Sequence, residues 1–172
     1  MKIRTGGAAD VPATLDLLDA AVAWLVSLGR PGQWGTEPYS SLPHGPGRVH
    51  RYATEYLMRI AETDDGQVAG VCVLGNGPAD GVPVTDEPEV FVRLLVTDRA
   101  LKGGGVGAAL INDAKAEARR RGVRLVRVDC YAGDDQALVA QYERLGFTRA
   151  AAFTVEREGK PPWPGQVLEL RV

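Results

Sequence analysis

Between Asp10 and Leu28 apolar residues return every three or four positions (Val11, Leu15, Leu18, Val22, Leu25, Val26), which predicts a helix with one buried face. Asp10 is placed to cap it, Pro12 suits its first turn, and Gly29 suits its end. Elsewhere the apolar pattern is that of strands, over residues 2–5, 56–62, 67–74, 90–96, 123–131, 148–158 and 166–172. Asp65-Gly66 predicts a hairpin turn between the second and third of these. A brief helix is expected over 48–54. Longer ones are expected from about 106 to 121, ended by Gly122, and from about 136 to 145, ended by Gly146 and capped by Asp134 or Asp135. The proline-rich stretch 159–165 is expected to turn the chain between the last two strands. This order predicts an α/β fold in a single domain, 1–172. Its central sheet is mixed and largely antiparallel, of about six to seven strands, with helices on both faces.

Two stretches break the pattern. Residues 29–47 hold Pro31, Pro38, Pro43 and Pro46 among Gln33, Trp34, Glu37, Tyr39 and His44. So long an irregular segment is either a binding element or a surface crossing with an aromatic ring tucked into the core. Residues 102–108 read Lys-Gly-Gly-Gly-Val-Gly-Ala, directly after a buried strand and at the head of a helix. Free N–H groups at such a junction converge on an anion, and the helix dipole adds to the attraction. Lys102 supplies a full positive charge at the entrance. A phosphate or pyrophosphate carried by a cofactor is expected there.

Composition narrows the partners. With 45% hydrophobic residues, 24% charged residues and a formal net charge of −2, the chain is an ordinary globular one. Nothing in that balance favours nucleic acid or an anionic membrane. The basic run Arg119-Arg120-Arg121 suits a helix C-terminus. Cys72 and Cys130 lie in apolar strands and are expected as reduced core residues. No leader or membrane-spanning run is legible, so a cytoplasmic location is expected, and the few Cys and His show no metal-site spacing.

Three readings of the glycine loop compete. Gly103, Gly105 and Ala108 spell a dinucleotide-binding fingerprint, which would make the chain an oxidoreductase. That reading needs successive βαβ units, and antiparallel hairpins surround the loop instead. A P-loop is excluded, because no Gly-Lys-Ser/Thr follows. The third reading takes Lys102-x-x-Gly105-x-Gly107 after Leu94-Leu95-Val96, together with Asp135 and the downstream Tyr142-Glu-Arg-Leu-Gly-Phe147. This pair of motifs resembles the GCN5-related N-acetyltransferase (GNAT) superfamily, whose loop pattern is Gln/Arg-x-x-Gly-x-Gly/Ala. The resemblance covers essentially the whole chain.

The resemblance implies a direct N-acyl transfer from acetyl-CoA, or another acyl-CoA, to a primary amine of a small molecule or peptide. Residues Gly103, Gly104, Gly105, Val106, Gly107 and Ala108 would hold the pyrophosphate. Leu94, Leu95 and Val96 would splay from the next strand and pair with the pantetheine arm through backbone groups alone. Lys102 replaces the usual Gln or Arg, and Asp135 replaces the common Asn. Tyr142 would protonate the departing sulfur. The base is not evident: the strand's middle, Val90-Phe91-Val92, is apolar, leaving Glu89 first and Glu37, His44 and Asp129 behind it. Trp34, Glu37 and Tyr39 would line the acceptor site. Cys130 has no adjacent base and does not read as a nucleophile. A CoA-binding module of weak activity is the alternative, and a homodimer is a further expectation.

Overall fold

The computed structural model describes all residues, Met1–Val172. Seven strands form one sheet in the order β1-β2-β3-β4-β5-β7-β6. β1 (Lys2–Thr5), β2 (Leu57–Glu62) and β3 (Val68–Gly75) pair antiparallel in succession. β4 (Val90–Thr97) and β5 (Leu125–Tyr131) run parallel, while β7 (Lys160–Arg171) lies antiparallel to both β5 and β6 (Thr148–Arg157). The helices are α1 (Val11–Ser27), α2 (Gly45–Glu55), α3 (Val106–Arg120) and α4 (Ala137–Arg144). The expected mixed, mostly antiparallel fold is what forms. Two compact units make it up, Met1–Leu74 with Leu94–Asp113 and Gly75–Arg93 with Ala114–Val172.

In the first unit, α1 and α2 cover one face of β2 and β3. Leu17, Leu18, Val22 and Val49 pack there against Met58, Ile60, Val71 and Val73. Alternation alone would put Val68 on the opposite face from Val71. A bulge corrects this: Ala61 pairs with Gly70 but Glu62 pairs with Val68, so Val68 joins the same cluster. The start of α3 lies on the other face, where a β-carbon on Gly70 would meet Val106 and Leu110. Asp10 does not cap α1 with its side chain. Its carboxylate instead accepts from Arg4 (2.7 Å) and from the Gly7 N–H (2.9 Å), because β1 brings Arg4 alongside.

In the second unit, α4 covers the β5–β7–β6 face that carries Val128, Leu168 and Arg149. Arg149 reaches α4 there, donating to Glu143 Oε1 at 2.8 Å and to Gln136 Oε1 at 2.8 Å. The proline-rich stretch is strand, not turn. β7 already begins at Lys160, which pairs with Arg157 across a tight reversal at Gly159 (φ +68°). Prolines are tolerated because β5 pairs with β7 only from Tyr131↔Gly165 onward. Pro161, Pro162 and Pro164 therefore sit on a stretch whose one ladder neighbour is β6, where a missing N–H costs little. Both cysteines are free and buried, and no helix is long and apolar enough to cross a membrane.

Candidate active site

β4 leads through a short 3-10 turn at Arg99–Leu101 into the glycine loop and α3. Asp98 caps that turn by accepting from the Ala100 N–H at 2.8 Å. Within the loop, Gly104 N–H closes a turn onto the Leu101 carbonyl at 2.9 Å, and the first bond of α3 runs from Ala109 N–H to the Gly105 carbonyl at 2.9 Å. The N–H groups of Gly103, Gly105, Val106, Gly107 and Ala108 donate to nothing within the protein. Gly103 and Gly105 hold left-handed φ values of +86° and +72°, which only glycine adopts without strain. Apart from the adjoining chain, no atom lies within 4 Å of the β-carbon position of Gly103, Gly105 or Gly107, so no other element packs over these glycines.

The loop is fixed from below. Gly70 lets α3 descend onto β3, and Asp98 N–H donates to the Ala69 carbonyl at 2.8 Å. Lys102 is exposed at the loop entrance. Arg99, which the sequence did not single out, stacks its guanidinium 3.5 Å above the Trp24 ring of α1. The parallel register of β4 with β5 covers Val90↔Val126, Phe91↔Arg127 and Val92↔Val128, and β4 itself continues to Thr97. Leu94 and Val96 turn their side chains into the α1–α2 cluster, and Leu95 is half-buried.

The remaining candidates are spread over several settings. Tyr39 is buried in the same cluster, with Trp34 edge-on to it at 6.4 Å, while Glu37 is exposed. The ring is thus tucked into the core, and a β-carbon on Gly45 would collide with the Tyr39 carbonyl. Asp135 accepts from Ala137 N–H at 3.1 Å and so caps α4, although Gln136, at φ +57°, intervenes. Tyr142 is buried on α4 with its ring edge-on to Phe147 at 5.7 Å. Glu89 forms a buried ion pair with Arg127 at 3.2 Å. Burial pushes the Glu89 carboxyl above the usual carboxylate range, and Arg127 only partly offsets this.

Glu89, just before β4, and Phe91 and Arg93 of β4 share a face with Arg127, Asp129 and Tyr131 of β5, as the Phe91↔Arg127 register requires. This is the face away from α4. The segment preceding β4 is tied to it: Arg127 donates to the Pro83 carbonyl at 3.2 Å and Arg93 to the Gly77 carbonyl at 3.0 Å. Asp129 is half-buried there, and burial raises its carboxyl pKa against the pull of Arg93.

The profile of the Acetyltransferase (GNAT) family matches residues 19–147. That span includes β4, the glycine loop with its unpaired N–H groups, and the Tyr142-to-Phe147 segment.

The chain belongs to the GNAT acetyltransferase family.

Solved structures of similar fold agree. A GNAT-family acetyltransferase from Listeria monocytogenes 4b F2365 is 18% identical, with a TM-score of 0.70, over 99% of this chain and 94% of that one. A ribosomal-protein-alanine N-acetyltransferase from Brucella melitensis is 22% identical, with a TM-score of 0.68, over 100% of both chains. A GNAT-superfamily phosphinothricin acetyltransferase from Sinorhizobium meliloti, solved in complex with acetyl-CoA, is 16% identical, with a TM-score of 0.67, over 99% and 88%. No curated protein matches the chain.

In this GNAT acetyltransferase, the sequence signalled the cradle but not the arginines. Arg127 lies inside the apolar run Leu125-Val-Arg-Val128, and a charge there is the one legible hint of a buried partner. Its Nε is buried with no hydrogen-bond partner. Nothing in the sequence shows that Tyr131, Phe153 and Trp163 meet, because that depends on strand register.

Proposed function

We propose that this acetyltransferase transfers an acyl group from acetyl-CoA directly to a primary amine. The observation that carries the reading is the set of five unpaired N–H groups from Gly103 to Ala108 at the head of α3, in a loop whose Gly103, Gly105 and Gly107 have no other residue crowding their β-carbon positions. They suit a pyrophosphate, and the α3 dipole favours its charge. Lys102 adds an exposed cation at the loop entrance. The backbone of Leu94–Val96 lies past the last parallel pair of β4 and β5, and offers N–H and C=O groups to the amides of the pantetheine arm. Acetyl-CoA supplies a thioester, an activated acyl donor. Tyr142 is assigned the proton donation to the leaving sulfur, for which a phenol is competent at neutral pH. The ammonium gives one proton to solvent, the neutral amine attacks the thioester carbonyl, the C–S bond breaks as Tyr142 protonates the sulfur, and the nitrogen's second proton restores the Tyr142 phenol, leaving an amide and a thiol.

Acetyl-CoA should raise the melting temperature by mass action on the native state. Thiol release across an amine panel tests transfer, and Tyr142→Phe should lower kcat about a hundredfold or more while acetyl-CoA affinity is kept. Stabilisation by NAD and not by acetyl-CoA would refute the reading. Acetyl-CoA binding without thiol release from any amine would leave a binding module in its place.

A further inference from the structure

On the face of the second unit away from α4, three aromatic rings meet beside a carboxylate that has no cation paired to it. Tyr131 of β5 and Trp163 of β7 lie 5.6 Å apart, and Phe153 of β6 lies 6.2 Å from Trp163. Two glycines seat the rings. A β-carbon on Gly165 would fall 2.3 Å from the Phe153 ring, and one on Gly133 would fall 2.1 Å from the Tyr131 hydroxyl. A register shift between Arg149 and Ala151 sends Arg149 to the α4 face while Phe153 stays on this one. All three rings are half-buried and so present a surface to a ligand.

Asp129 is two residues before Tyr131 on the same face of β5, and pairs across to Val167 of β7. No salt bridge engages its carboxylate. The nearby arginines make hydrogen bonds elsewhere, although the Arg93 charge still attracts the carboxylate from a distance without pairing to it. Arg127 is held by Glu89 and the Pro83 carbonyl, and Arg93 donates to the Gly77 carbonyl. Arg149 is on the opposite face, bound to Glu143. A carboxylate in this setting gains most from a ligand that brings both a positive charge and donors. Next to three π-faces, that ligand is an ammonium on an apolar or aromatic body.

We propose that Asp129 with Tyr131, Phe153 and Trp163 forms the acceptor subsite, selecting primary amines that carry an aromatic or apolar group. Asp129 pairs with the ammonium and the rings hold the body. The proposal rests on the acyltransfer reading, so its test is a binding measurement that needs no turnover. The full chain is titrated calorimetrically with 2-phenylethylamine and with phenylacetate, of similar body and opposite charge. The amine should bind at least tenfold more tightly than the acid. Asp129→Asn should abolish that preference while acetyl-CoA affinity is unchanged. Trp163→Leu should weaken both ligands several-fold, and circular dichroism should show both variants folded. Equal binding of the two ligands by the wild type, binding of neither, or an unchanged preference in Asp129→Asn overturns the subsite. Failure to bind by a chain that sediments as a dimer also overturns it and assigns the face to self-association. Failure of the acyltransfer reading would be separate, shown by the absence of acetyl-CoA binding.

Discussion

Gly70 of β3 and Val106 at the start of α3 approach so closely that a β-carbon on Gly70 would lie 2.9 Å from Val106 Cγ1. The same added atom would sit 3.1 Å from Leu110 Cδ1 and 3.1 Å from the Val96 carbonyl. The position of the glycine loop therefore depends on an absent side chain one strand away. Gly70→Ala should destabilise the chain by about 1–3 kcal/mol, the range for overpacking a filled site. It should also weaken acetyl-CoA, because α3 must shift with its N–H groups. Chemical denaturation and calorimetric titration check the two effects separately.

The Glu89–Arg127 pair separates two roles for Glu89. Both side chains are 5% exposed, and the pair joins the start of β4 to β5. Glu89→Gln should leave a buried guanidinium poorly paired and lower stability by up to about 3 kcal/mol. If the carboxylate serves the fold, kcat should change less than about threefold in the protein that remains folded. A loss of a hundredfold or more, with the low-pH limb of the kcat profile removed, would instead make Glu89 the base.

How much of this was legible beforehand differs by level. Most helices and strands were, because α1 has clear helical periodicity, β3–β5 are short, largely apolar runs, and Gly29, Gly122 and Gly146 mark ends. The loop 102–108 was legible because its chemistry is local: consecutive glycines at a strand-to-helix junction need no distant partner. Asp10 is the N-cap residue of α1, as its sequence position indicated, but its side chain makes no capping bond because Arg4 competes for it from another element. The 160–164 stretch was misread as a turn because prolines are forbidden only where their N–H is needed, and that depends on which strand is the neighbour. The Tyr131, Phe153 and Trp163 cluster was invisible for the related reason that register decides which side chains share a face.

Acid should act through Arg4. It donates to Asp10 and to Glu62, and each carboxyl is held below its usual range by Arg4 first. A depressed folded pKa contributes stability that is present above the unfolded value, about 4, and lost as pH falls through the folded value. The melting temperature should therefore drop on acidification below about pH 4, and Arg4→Met should shrink that drop. An equally steep acid limb in the variant would assign it to other carboxylates.

The cysteines should be chemically silent. Burial pushes the Cys130 thiol up to about 12, and Cys72 higher still. At pH 8 the Cys130 thiolate is then about one part in ten thousand. Neither should be alkylated by iodoacetamide in the native protein, and both should be after denaturation. Mass spectrometry after acetyl-CoA incubation should find no acyl-cysteine, as direct transfer requires.

Calorimetric titration of acetyl-CoA into Gly107→Pro and Gly107→Ala tests the central claim, that backbone N–H groups at the head of α3 hold the cofactor. Proline at this second helical position removes one donor and keeps the helix, as Pro12 and Pro46 do in α1 and α2. Alanine keeps the donor. The proline variant should bind about tenfold more weakly or worse, the loss of one charge-assisted hydrogen bond, with the alanine variant close to wild type. Equal affinity in all three proteins, or no binding by the wild type, would contradict the account.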